Sequence, residues 1–583
     1  MGPFSKKWID VLLGTTVACL GFSFLEGFSK GEALADVSSS SSPANKTVES
    51  SPPSSSSSSL NATREGLQSL LEGGRNYLGF EASEIPYSTL LKLYAKVGFQ
   101  PLWFTEDRKS TCASAVIKML EKADEEGLEI AEYAPFLKKL EGYVGADASK
   151  QETAAQEDLL RADILLSYVL LQYISDVQGE RVSPKKIDKV LYLDNPKIDE
   201  PLLLLDLLQK APENTCEWLE KLSPQNPEYK ALKGVLKDLK SQQVQGKEEK
   251  ILSSGPTLKK GSSGKRVLEL REALASRGYN SGGTSDIFDE SLETIVKAVQ
   301  KNLGLSVDGV VGQDVQEHLS KRIEDKINQV IVTLERWRWM PEVLGSKYVL
   351  VNIPEFEART YENGQHIFTM PVIVGRTYRE TPVFSSEIVN VIFNPTWNVP
   401  KLIAVQDELK DVQKKGADYF ISKKIHVYKN GTEVDPRRVN WSEVTKQNFD
   451  FHLKQDSGKD NALGRIRFTI ISPFDVYLHG TPKQELFDKT KRTLSSGCIR
   501  LEDPLKMAEF IFGKDSKWTA ESIQNAIDAE KTETIPLQTP VKVYIQYFTV
   551  FVDQSGTPRF MEDVYGQDKE ILKALKSRRA QAP

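Results

Sequence analysis

Hydrophobic residues in the first half of the chain recur at the spacing of an α-helix. One such run extends from Val116 to Ala123, a second from Leu159 to Leu170, and a leucine-rich third from Pro201 to Leu208. Apolar positions with a period near 3.6 residues predict amphipathic helices. We therefore expect a helical scaffold domain over residues 65–250, in which no residue pattern points to catalysis.

A short, glycine-rich segment follows over residues 255–322. It opens with the spacing G-x-x-G-x-x-V-x-x-L-R from Gly261 to Arg271 and closes with the turn Asp308–Gly312. The aliphatic residues between these ends are spaced for short helices, and glycines suit the turns where φ must be positive. The pattern predicts three short helices around a very small core.

From residue 323 onward the pattern changes to short β-strands. Runs of branched and aromatic residues are bounded by Gly, Pro and Asn, which is typical of strands joined by turns. The runs are Tyr348–Ile353, Met370–Val374, Ile388–Phe393 and Val541–Phe551. Many short strands without alternating helices predict a β-sandwich or barrel over residues 323–583.

This strand pattern stops between Lys401 and Asp460. The segment is rich in Lys, Asp and Gln and predicts helix plus loop. An insertion of this length in a β-domain is more often functional than idle, commonly as a lid or a wall of a binding site. A surface elaboration without a role is the alternative. The expected fold class is multidomain α+β, with a helical domain, a three-helix domain and a mainly β, sandwich-like domain carrying a helical lid.

Composition narrows the class of protein but does not show its chemistry. Of the 583 residues 39% are hydrophobic and 27% charged, which excludes a polytopic membrane protein and a wholly disordered chain. A net charge of −5 argues against a general nucleic-acid binder, which needs a basic surface. Four cysteines are too few for a disulfide scaffold, and five histidines leave little for metal clusters.

The N-terminus has the pattern of an export signal. Lys6 and Lys7 precede an apolar stretch from Val11 to Leu25, and Ala33-Leu34-Ala35 fits a cleavage site. We expect a signal peptide over residues 1–35; an uncleaved anchor is the alternative. The serine-rich residues 36–64 predict a flexible linker, because they offer too little apolar surface to fold. Export would bring the chain into an oxidising compartment.

Two cysteines of the helical region have two interpretations. Cys112 and Cys216 each lie near an apolar helical face. They are either two buried thiols or a disulfide pair, which an oxidising compartment permits. A disulfide would leave Cys498 as the free thiol after loss of Cys19 with the signal peptide.

The chemistry of the chain is expected at Cys498 and His479. Strand alternation places Tyr477 and His479 on one face, and Cys498 lies on a glycine-containing turn just before a helix that opens with Asp503-Pro504. A helix N-terminus and an imidazolium both favour thiolate over thiol. A Cys paired with a His is the minimum for nucleophilic acyl transfer, in which the imidazole moves protons.

The string HGT…SSGCIRL around these residues resembles the signature of the L,D-transpeptidases, the cysteine enzymes of peptidoglycan cross-linking. Three upstream segments resemble the family as well, and residues 255–322 resemble a three-helix peptidoglycan-binding module. Taken with the N-terminus and the helical region, nearly the whole chain is similar to the large, multidomain periplasmic type. The upstream segments are Glu335–Pro341, Asn394–Pro400 and Asn461–Gly464.

The resemblance implies a role for each residue of the motif. Cys498 would be the nucleophile and His479 the base, with its other ring nitrogen oriented by a backbone carbonyl near Gly480. Backbone N–H groups around Gly497 and Cys498 would form the oxyanion hole. Single-domain relatives often carry His where this chain has Ser496, which leaves the donor geometry open. The expected substrate-binding residues are Arg500, Tyr477, Trp397, Ser496 and Ser495; Arg500 could instead lock the loop, and Tyr477 and Trp397 could simply pack in the core.

The implied reaction has two halves. Cys498 attacks the bond between the diamino acid and the terminal D-Ala of a tetrapeptide stem, and an amine of a neighbouring stem then takes the acyl group in a 3→3 cross-link. Rival hypotheses are an L,D-carboxypeptidase, with water as acceptor, a non-catalytic wall-anchoring protein, and transfer to the lysine of a lipoprotein. The resemblance also implies acylation of Cys498 by carbapenems.

The expected partners are peptidoglycan stem peptides and glycan, met in the periplasm by a monomer. We expect no nucleic acid, and contact with the membrane only through the signal peptide or anchor. No cofactor and no metal are expected, because the remaining histidines show no ligand spacing and are taken as structural or surface residues. These are His318, His366, His426 and His452.

Overall fold

The structure is a computed structural model. It describes residues 55–74, 86–104, 111–144, 152–195, 199–210, 217–244, 250–280, 283–303, 305–514, 516–553 and 555–579. The expected signal peptide lies outside these ranges. Within them, no helix combines the length and the apolar character that a membrane span requires.

The first part of the described chain is helical, as predicted. A 26-residue central helix, α5, contributes Leu165, Leu166 and Val169 to a core formed with the surrounding helices. The helices are α1 Ser55–Glu72, α2 Tyr87–Lys96, α3 Thr111–Leu120, α4 Ile130–Val144, α5 Glu152–Val177, α6 Pro184–Ile187, α7 Glu200–Lys210 and α8 Pro227–Val244, with 3₁₀ turns at Ala123–Glu126 and Glu217–Lys221.

Two details of this region bear on the sequence-based predictions: where helix α1 begins and whether Cys112 is a free thiol. Helix α1 begins at Ser55, inside the expected linker, because the buried side chains of Leu67, Leu70 and Leu71 anchor a helix that continues toward the N-terminus. Cys112 is disulfide-bonded, and its partner lies outside the described residues. The disulfide interpretation of Cys112 is therefore favoured over a buried thiol.

The glycine-rich segment folds into three short helices, as predicted. These are α9 Lys265–Ser276, α10 Glu290–Asn302 and α11 Gln313–Ser320. Val267, Leu270 and Val296 are among the buried residues of their small core. In the closing turn Gly309 has φ +76°, and its N–H donates to Oε1 of Gln300 at 2.8 Å. A residue with a Cβ would be strained there.

The β-region forms one large sheet. Its order is β5-β10-β11-β13-β4-β3-β2-β14, and pairing of β14 with β5 closes the order on itself, as a barrel requires. The strands are β1 Leu191–Tyr192, β2 Lys347–Asn352, β3 Glu357–Glu362, β4 Gln365–Gly375, β5 Val383–Phe393, β6 Trp397–Asn398, β7 Ile425–Lys429, β8 Thr432–Val434, β9 Phe451–Gln455, β10 Ile466–Ile470, β11 Leu478–His479, β12 Thr493–Ser495, β13 Ile499–Leu501, β14 Glu533–Gln546, β15 Val550–Val552 and β16 Pro558–Phe560.

The helical region contributes a strand to this sheet, which the helical pattern does not predict. Strand β1 pairs in parallel with β5, with Leu191 opposite Val383 and Tyr192 opposite Phe384. Leu191 is 1% exposed and belongs to the core of the β-region. The run is only two residues long, so it has no detectable period of its own.

Helix α12 (Ile323–Arg338) joins the helical region to the sheet. Nη1 of Arg338 donates to Glu335 at 2.7 Å, and Nη2 donates to the hydroxyl of Tyr229 at 3.0 Å. The side chains of Glu335 and Arg338 are almost fully buried. The segment Glu335–Pro341 therefore holds two regions of the chain together, at a distance from the thiol of Cys498.

The insertion differs from its predicted helix plus loop. It contains α13 Lys401–Ile403, a π-helix Ala404–Glu408, α14 Leu409–Lys415, α15 Asp418–Ser422 and a 3₁₀ turn Pro436–Arg438. It also contributes β7, β8 and β9 to a four-stranded sheet of order β6-β9-β7-β8, whose strand β6 lies just before the insertion. This sheet packs on the helices around Phe420 and Val427, which are fully buried. The strands are short and mostly polar on one face, which hides their period in the sequence.

Three further helices pack outside the sheet, accompanied by a 3₁₀ turn at Gln484–Leu486. The helices are α16 Pro504–Phe512, α17 Ala520–Asp528 and α18 Gln567–Arg579. The start of α16 matches the prediction, since the side chain of Asp503 accepts a hydrogen bond from the N–H of Lys506 at 2.9 Å and Pro504 follows directly.

Candidate active site

Strand pairing brings the motif residues to one face of the sheet. Strand β11 pairs in parallel with β13, with Leu478 opposite Ile499 and His479 opposite Arg500. Residues level with each other on paired strands point to the same side, and side chains alternate along each strand. Tyr477 and Cys498 lie two residues before His479 and Arg500 in the chain. By the same alternation, all four side chains share one face.

The thiol of Cys498 lies beside Tyr477. Cys498 is half-buried at the end of the turn between β12 and β13. The thiol donates toward the carbonyl of Asp475, 3.8 Å from the sulfur. The backbone and side chain of Tyr477 both act to lower the pKa of the thiol, and Trp397 acts in the same way on the pKa of Tyr477. Cys498, Tyr477 and Trp397 are therefore neighbours at this site.

The ring of His479 is buried and held by the backbone. It is 4% exposed, and Nδ1 donates to the carbonyl oxygen of Gly480 at 2.5 Å. This is the backbone carbonyl that the sequence places near the second ring nitrogen. A proton on Nδ1 leaves Nε2 of a neutral ring as the proton acceptor.

Burial opposes ionisation of both Cys498 and His479. Burial raises the pKa of the Cys498 thiol, although Tyr477, Arg467 and Arg500 oppose that effect. Burial, helped by the Arg500 guanidinium, lowers the pKa of His479 to about 3, against the Gly480 and Leu463 carbonyls. The pair therefore rests as neutral thiol and neutral imidazole, because desolvation outweighs the nearby positive groups.

The turn before Cys498 is fixed by two hydroxyl groups. Ser495 Oγ accepts from the N–H of Gly497 at 3.1 Å and donates to the carbonyl of Cys498 at 2.6 Å. Thr381 Oγ1 donates to the carbonyl of Gly497 at 2.7 Å. Gly497 has φ +114°. Its N–H is thus already engaged, whereas no acceptor for the N–H of Cys498 is found among the described residues.

Arg379 connects this turn to the insertion. Its Nη1 donates to Oγ of Ser496 at 2.9 Å. The same guanidinium pairs with the carboxylate of Asp407, where Nη2 lies 3.1 Å from Oδ1, and donates to Gln406 at 2.8 Å. Asp407 and Gln406 belong to the π-helix, a form of helix that is frequent at functional sites.

Two arginines without a carboxylate partner, Arg467 and Arg500, lie near the thiol, and a third, Arg376, lies near Arg500. Arg467 is level with His479 on the neighbouring strand β10, and its guanidinium lies 4.3 Å from the ring centre of Tyr477. Burial lowers the pKa of Arg500, and repulsion from Arg376 adds to the effect. Arg467 and Arg500 each have a buried Nε with no hydrogen-bond acceptor among the described residues.

The segment Asn461–Gly464 lies directly behind the histidine. Gly464 has φ +66°, and a Cβ there would lie 2.6 Å from the carbonyl carbon of Gly480 and from the nitrogen of Thr481. The peptide that holds Nδ1 of His479 is therefore packed against a glycine. Asn394 has a different role, since its amide donates to the carbonyls of Ala526 and Ile527 in helix α17, both at 3.0 Å.

The remaining histidines lie apart from this face. Burial lowers the pKa of His318, in the three-helix segment, to about 3. His426 contacts Glu433 and Asp456 within the insertion at 2.6 and 2.8 Å. In the part of the chain that the structure describes, no cluster of three or more His, Cys, Asp or Glu side chains is arranged to hold a metal ion.

Three site residues are missed by reasoning from the sequence alone: Arg379, Thr381 and Arg467. The polar run after Gly375 follows directly on a predicted strand, and a polar loop at a strand end is a usable indication of a site. Arg467 offers no such indication. Only the register of β10 against β11 shows that it lies beside His479.

Three regions of the chain match known families. Residues 346–543 match the "L,D-transpeptidase catalytic domain" family, residues 263–319 the "Putative peptidoglycan binding domain" family, and residues 88–236 the "Scaffold domain" family. The resemblance drawn from the Cys/His motif and from the glycine-rich segment is thereby confirmed.

One curated relative and two solved structures carry related names. A "Putative L,D-transpeptidase" of Haemophilus influenzae is 31% identical over 250 residues, or 42% of this chain and 50% of the relative, so the match spans half of its length. The L,D-transpeptidase from Mycobacterium smegmatis is 11% identical, covering 34% of this chain and 58% of that one, with a TM-score of 0.17.

The L,D-transpeptidase from Xylanimonas cellulosilytica is 14% identical and covers 50% of this chain and 99% of its own, with a TM-score of 0.16. No conclusion about this chain rests on either structure. The family matches and the relative from Haemophilus agree with each other: separate parts of the chain are similar to a scaffold domain, a peptidoglycan-binding domain and an L,D-transpeptidase catalytic domain.

Proposed function

We propose that this protein is a peptidoglycan L,D-transpeptidase with Cys498 as its nucleophile and His479 as its base. The observation that carries the proposal is the pairing of β11 with β13, which puts both side chains on one face, with Nδ1 of His479 bonded to the carbonyl of Gly480. A cysteine and a histidine in this relation provide the nucleophile and the proton carrier for acyl transfer.

The first half-reaction starts from the neutral pair. Sγ attacks the carbonyl carbon between the diamino acid and D-Ala while the thiol proton passes to Nε2 of His479. The C–N bond then breaks, the proton moves to the leaving nitrogen, and D-Ala departs, leaving a thioester. Tyr477, which acts to lower the pKa of the thiol, stabilises the negative charge that develops on sulfur.

The second half-reaction consumes the thioester. An amine of a neighbouring stem attacks the acyl carbon, passes a proton to His479, and releases Cys498 as a thiol, with a 3→3 cross-link as product. We assign the N–H of Cys498 to the oxyanion, since Ser495 occupies the N–H of Gly497. Loss of one such donor typically costs about 2.7–4 kcal/mol of transition-state stabilisation.

We assign residues 401–460 the role of a lid over the acyl-enzyme. Support comes from Arg379, whose guanidinium ties Asp407 and Gln406 of the insertion to Ser496. A closed lid would exclude water, which competes with the amine for the thioester. Removal of the insertion without any change in the ratio of transfer to hydrolysis would contradict this role.

The proposed partners are the stem peptides and glycan of the cell wall, met outside the cytoplasm, in the periplasm. Support comes from the peptidoglycan-binding match over residues 263–319 and from the export pattern of the first 35 residues. We propose that the full chain works as a monomer.

The decisive experiment incubates the full chain with purified disaccharide-tetrapeptide and separates the products by liquid chromatography and mass spectrometry. The proposal predicts free D-Ala and a 3→3 cross-linked dimer, neither of which forms with Cys498→Ala. Tripeptide without dimer would identify an L,D-carboxypeptidase. The same products from wild type and Cys498→Ala would refute catalysis at this cysteine and revive the wall-anchoring alternative.

Carbapenem acylation gives a separate check that needs no wall substrate. Intact-protein mass spectrometry should show one adduct on wild type and none on Cys498→Ala. Absence of an adduct on the wild-type protein would count strongly against the assignment of Cys498 as an acyl acceptor.

A further inference from the structure

Three arginines at the candidate site stand out from the other arginines of the described chain. Arg376, Arg467 and Arg500 are partly buried, and none of them donates to a carboxylate or a backbone carbonyl among the described residues. The other buried and partly buried arginines in those ranges have such a partner. All three exceptions lie at one site.

A guanidinium that is withdrawn from water without an acceptor is costly, so it is normally paired. A buried Nε without an acceptor is common among the described arginines, but Arg467 and Arg500 differ from the others in that their Nη groups have no acceptor among the described residues either. The face of the Tyr477 ring stabilises Arg467 in part, at 4.3 Å, but leaves its N–H donors unused. The arrangement is complete only when an anion is present.

The register of the sheet defines where that anion would lie. Arg467 is level with His479 on β10, and Arg500 is level with His479 on β13, so the two guanidinium groups flank the histidine on one face. Cys498 lies one pleat away on the same face. An anion held between the two arginines would therefore sit next to the carbonyl under attack.

We propose that Arg467 and Arg500, with Arg376 behind Arg500, form a subsite for a carboxylate of the stem peptide directly beside the scissile bond. The inference rests on the proposed function and adds to it a requirement on the substrate. Planar guanidinium groups bind carboxylates in two-point geometry, which gives orientation as well as affinity. The subsite would thus set the donor carbonyl against Sγ of Cys498.

Two carboxylates of the donor could occupy the subsite: that of the terminal D-Ala and that on the side chain of the diamino acid. Three synthetic tetrapeptides separate them. The first has both carboxylates free, the second a C-terminal amide, and the third an amide on the side chain of the diamino acid. Binding to the full-length Cys498→Ala protein by isothermal titration calorimetry avoids turnover.

Each arginine is then replaced in the Cys498→Ala background, as Arg467→Gln, Arg500→Gln and Arg467→Lys. We expect Arg467→Gln and Arg500→Gln to raise the Kd of the free tetrapeptide about tenfold, the effect of one charge-assisted pair. One of the two amides should bind equally weakly to the parent protein and should lose nothing further on either substitution. Arg467→Lys should restore part of the affinity.

Arg465→Gln is the matched control. Arg465 lies two residues before Arg467 and is also partly buried, but its guanidinium is engaged by the carbonyl of Ile527 at 2.5 Å and by Glu530 at 3.4 Å. Its loss should leave the Kd of all three peptides unchanged. Thermal unfolding of every variant shows whether the fold is intact.

The subsite is refuted if the arginine variants bind all three peptides as the parent does, or lose affinity for all three equally. D-Ala release by the wild type, measured in parallel, separates the two proposals: release together with unchanged binding in the variants rejects the subsite alone. A wild type that neither binds nor cleaves the tetrapeptide rejects both.

Discussion

The guanidinium of Arg379 bonds to Ser496, two residues before the candidate nucleophile, while it is paired with Asp407 of the insertion. Arg379 is 9% exposed, so this link is shielded from solvent on the arginine side. The side chain of Arg379 therefore couples the position of the insertion to the turn that carries Cys498.

The first prediction concerns this link. Asp407→Asn removes the charge that holds Arg379, so the insertion should detach more often and admit water. We expect D-Ala release to change by less than about threefold, and the ratio of dimer to tripeptide to fall by about threefold or more. Product analysis by mass spectrometry measures both.

Asp418→Asn is the control for that experiment. Asp418 pairs with Arg437 at 2.8 Å in the same insertion, but both side chains are largely exposed. It should leave the product ratio unchanged. Equal ratios in Asp407→Asn and wild type would show that the ion pair does not hold the insertion closed.

The second prediction concerns Gly464. Alanine at this position would place its Cβ 2.6 Å from two backbone atoms of the peptide 480–481, at a φ of +66°. The peptide must shift, and with it the carbonyl that orients His479. We expect a loss of about 2–4 kcal/mol in the free energy of unfolding and a fall in kcat/KM of at least about tenfold.

Gly364→Ala separates the two causes. Gly364 has φ +77°, and a Cβ there would have no heavy atom within 4 Å. Only the backbone strain should appear, at about 1 kcal/mol, with unchanged kcat/KM. If Gly464→Ala behaved in the same way, close packing behind His479 would be of no consequence.

The third prediction is the pH dependence of alkylation at Cys498. Because burial raises the pKa of this thiol, the thiolate fraction at neutral pH is smaller than in a free cysteine, and it grows only as pH rises past the ordinary value of 9.0. Iodoacetamide should therefore react more slowly than with an unstructured peptide at about pH 7, and its rate should still be climbing at about pH 9.

Tyr477→Phe extends this test. It removes the hydroxyl from a side chain that acts to lower the pKa of the thiol, so that pKa should rise further and alkylation at about pH 8 should slow by about tenfold. A rate that reaches its plateau below about pH 7 in the wild type would instead indicate a resting thiolate and imidazolium pair.

The fourth prediction concerns the joint around helix α12. Arg338→Met leaves Glu335 charged and buried without its partner, which typically costs about 3–5 kcal/mol. Lys542→Met breaks an exposed pair with Glu387, 2.7 Å long, and should cost about 1 kcal/mol or less. Urea unfolding followed by tryptophan fluorescence compares them. Similar losses in the free energy of unfolding would show that the buried pair stabilises the fold no more than the exposed pair does.

Much of the fold follows from periodic patterns in the sequence. The helices through Leu166, the three short helices around Leu270 and the strands Tyr348–Ile353 and Ile388–Phe393 are long or regular enough to be recognised. Strand β1 and the sheet of the insertion are not, because two to five residues with one polar face carry too little pattern.

The residues of the candidate site also fall into two groups: those that local sequence patterns predict and those that they do not. Cys498 and His479 are found from local spacing, because each lies in a short motif with a turn beside it. The place of Arg467 at the site depends on the register of β10 against β11. The place of Arg379 depends on its contact with Ser496, 117 positions away. No local pattern contains either relation. The effect of burial on the thiol, which opposes the thiolate, is a property of the whole fold and is absent from any local pattern.

The pairing of Leu191 and Tyr192 with Val383 and Phe384 has a consequence for how the protein can be divided. A fragment beginning at residue 323 would lack the strand that covers this stretch of β5, and the N–H of Val383 would lose its bond to the carbonyl of Val190. The bared edge would be free to pair with another molecule. The β-region therefore shares an edge with the helical region: residues 383 and 384 of β5 are paired with chain that comes from that region.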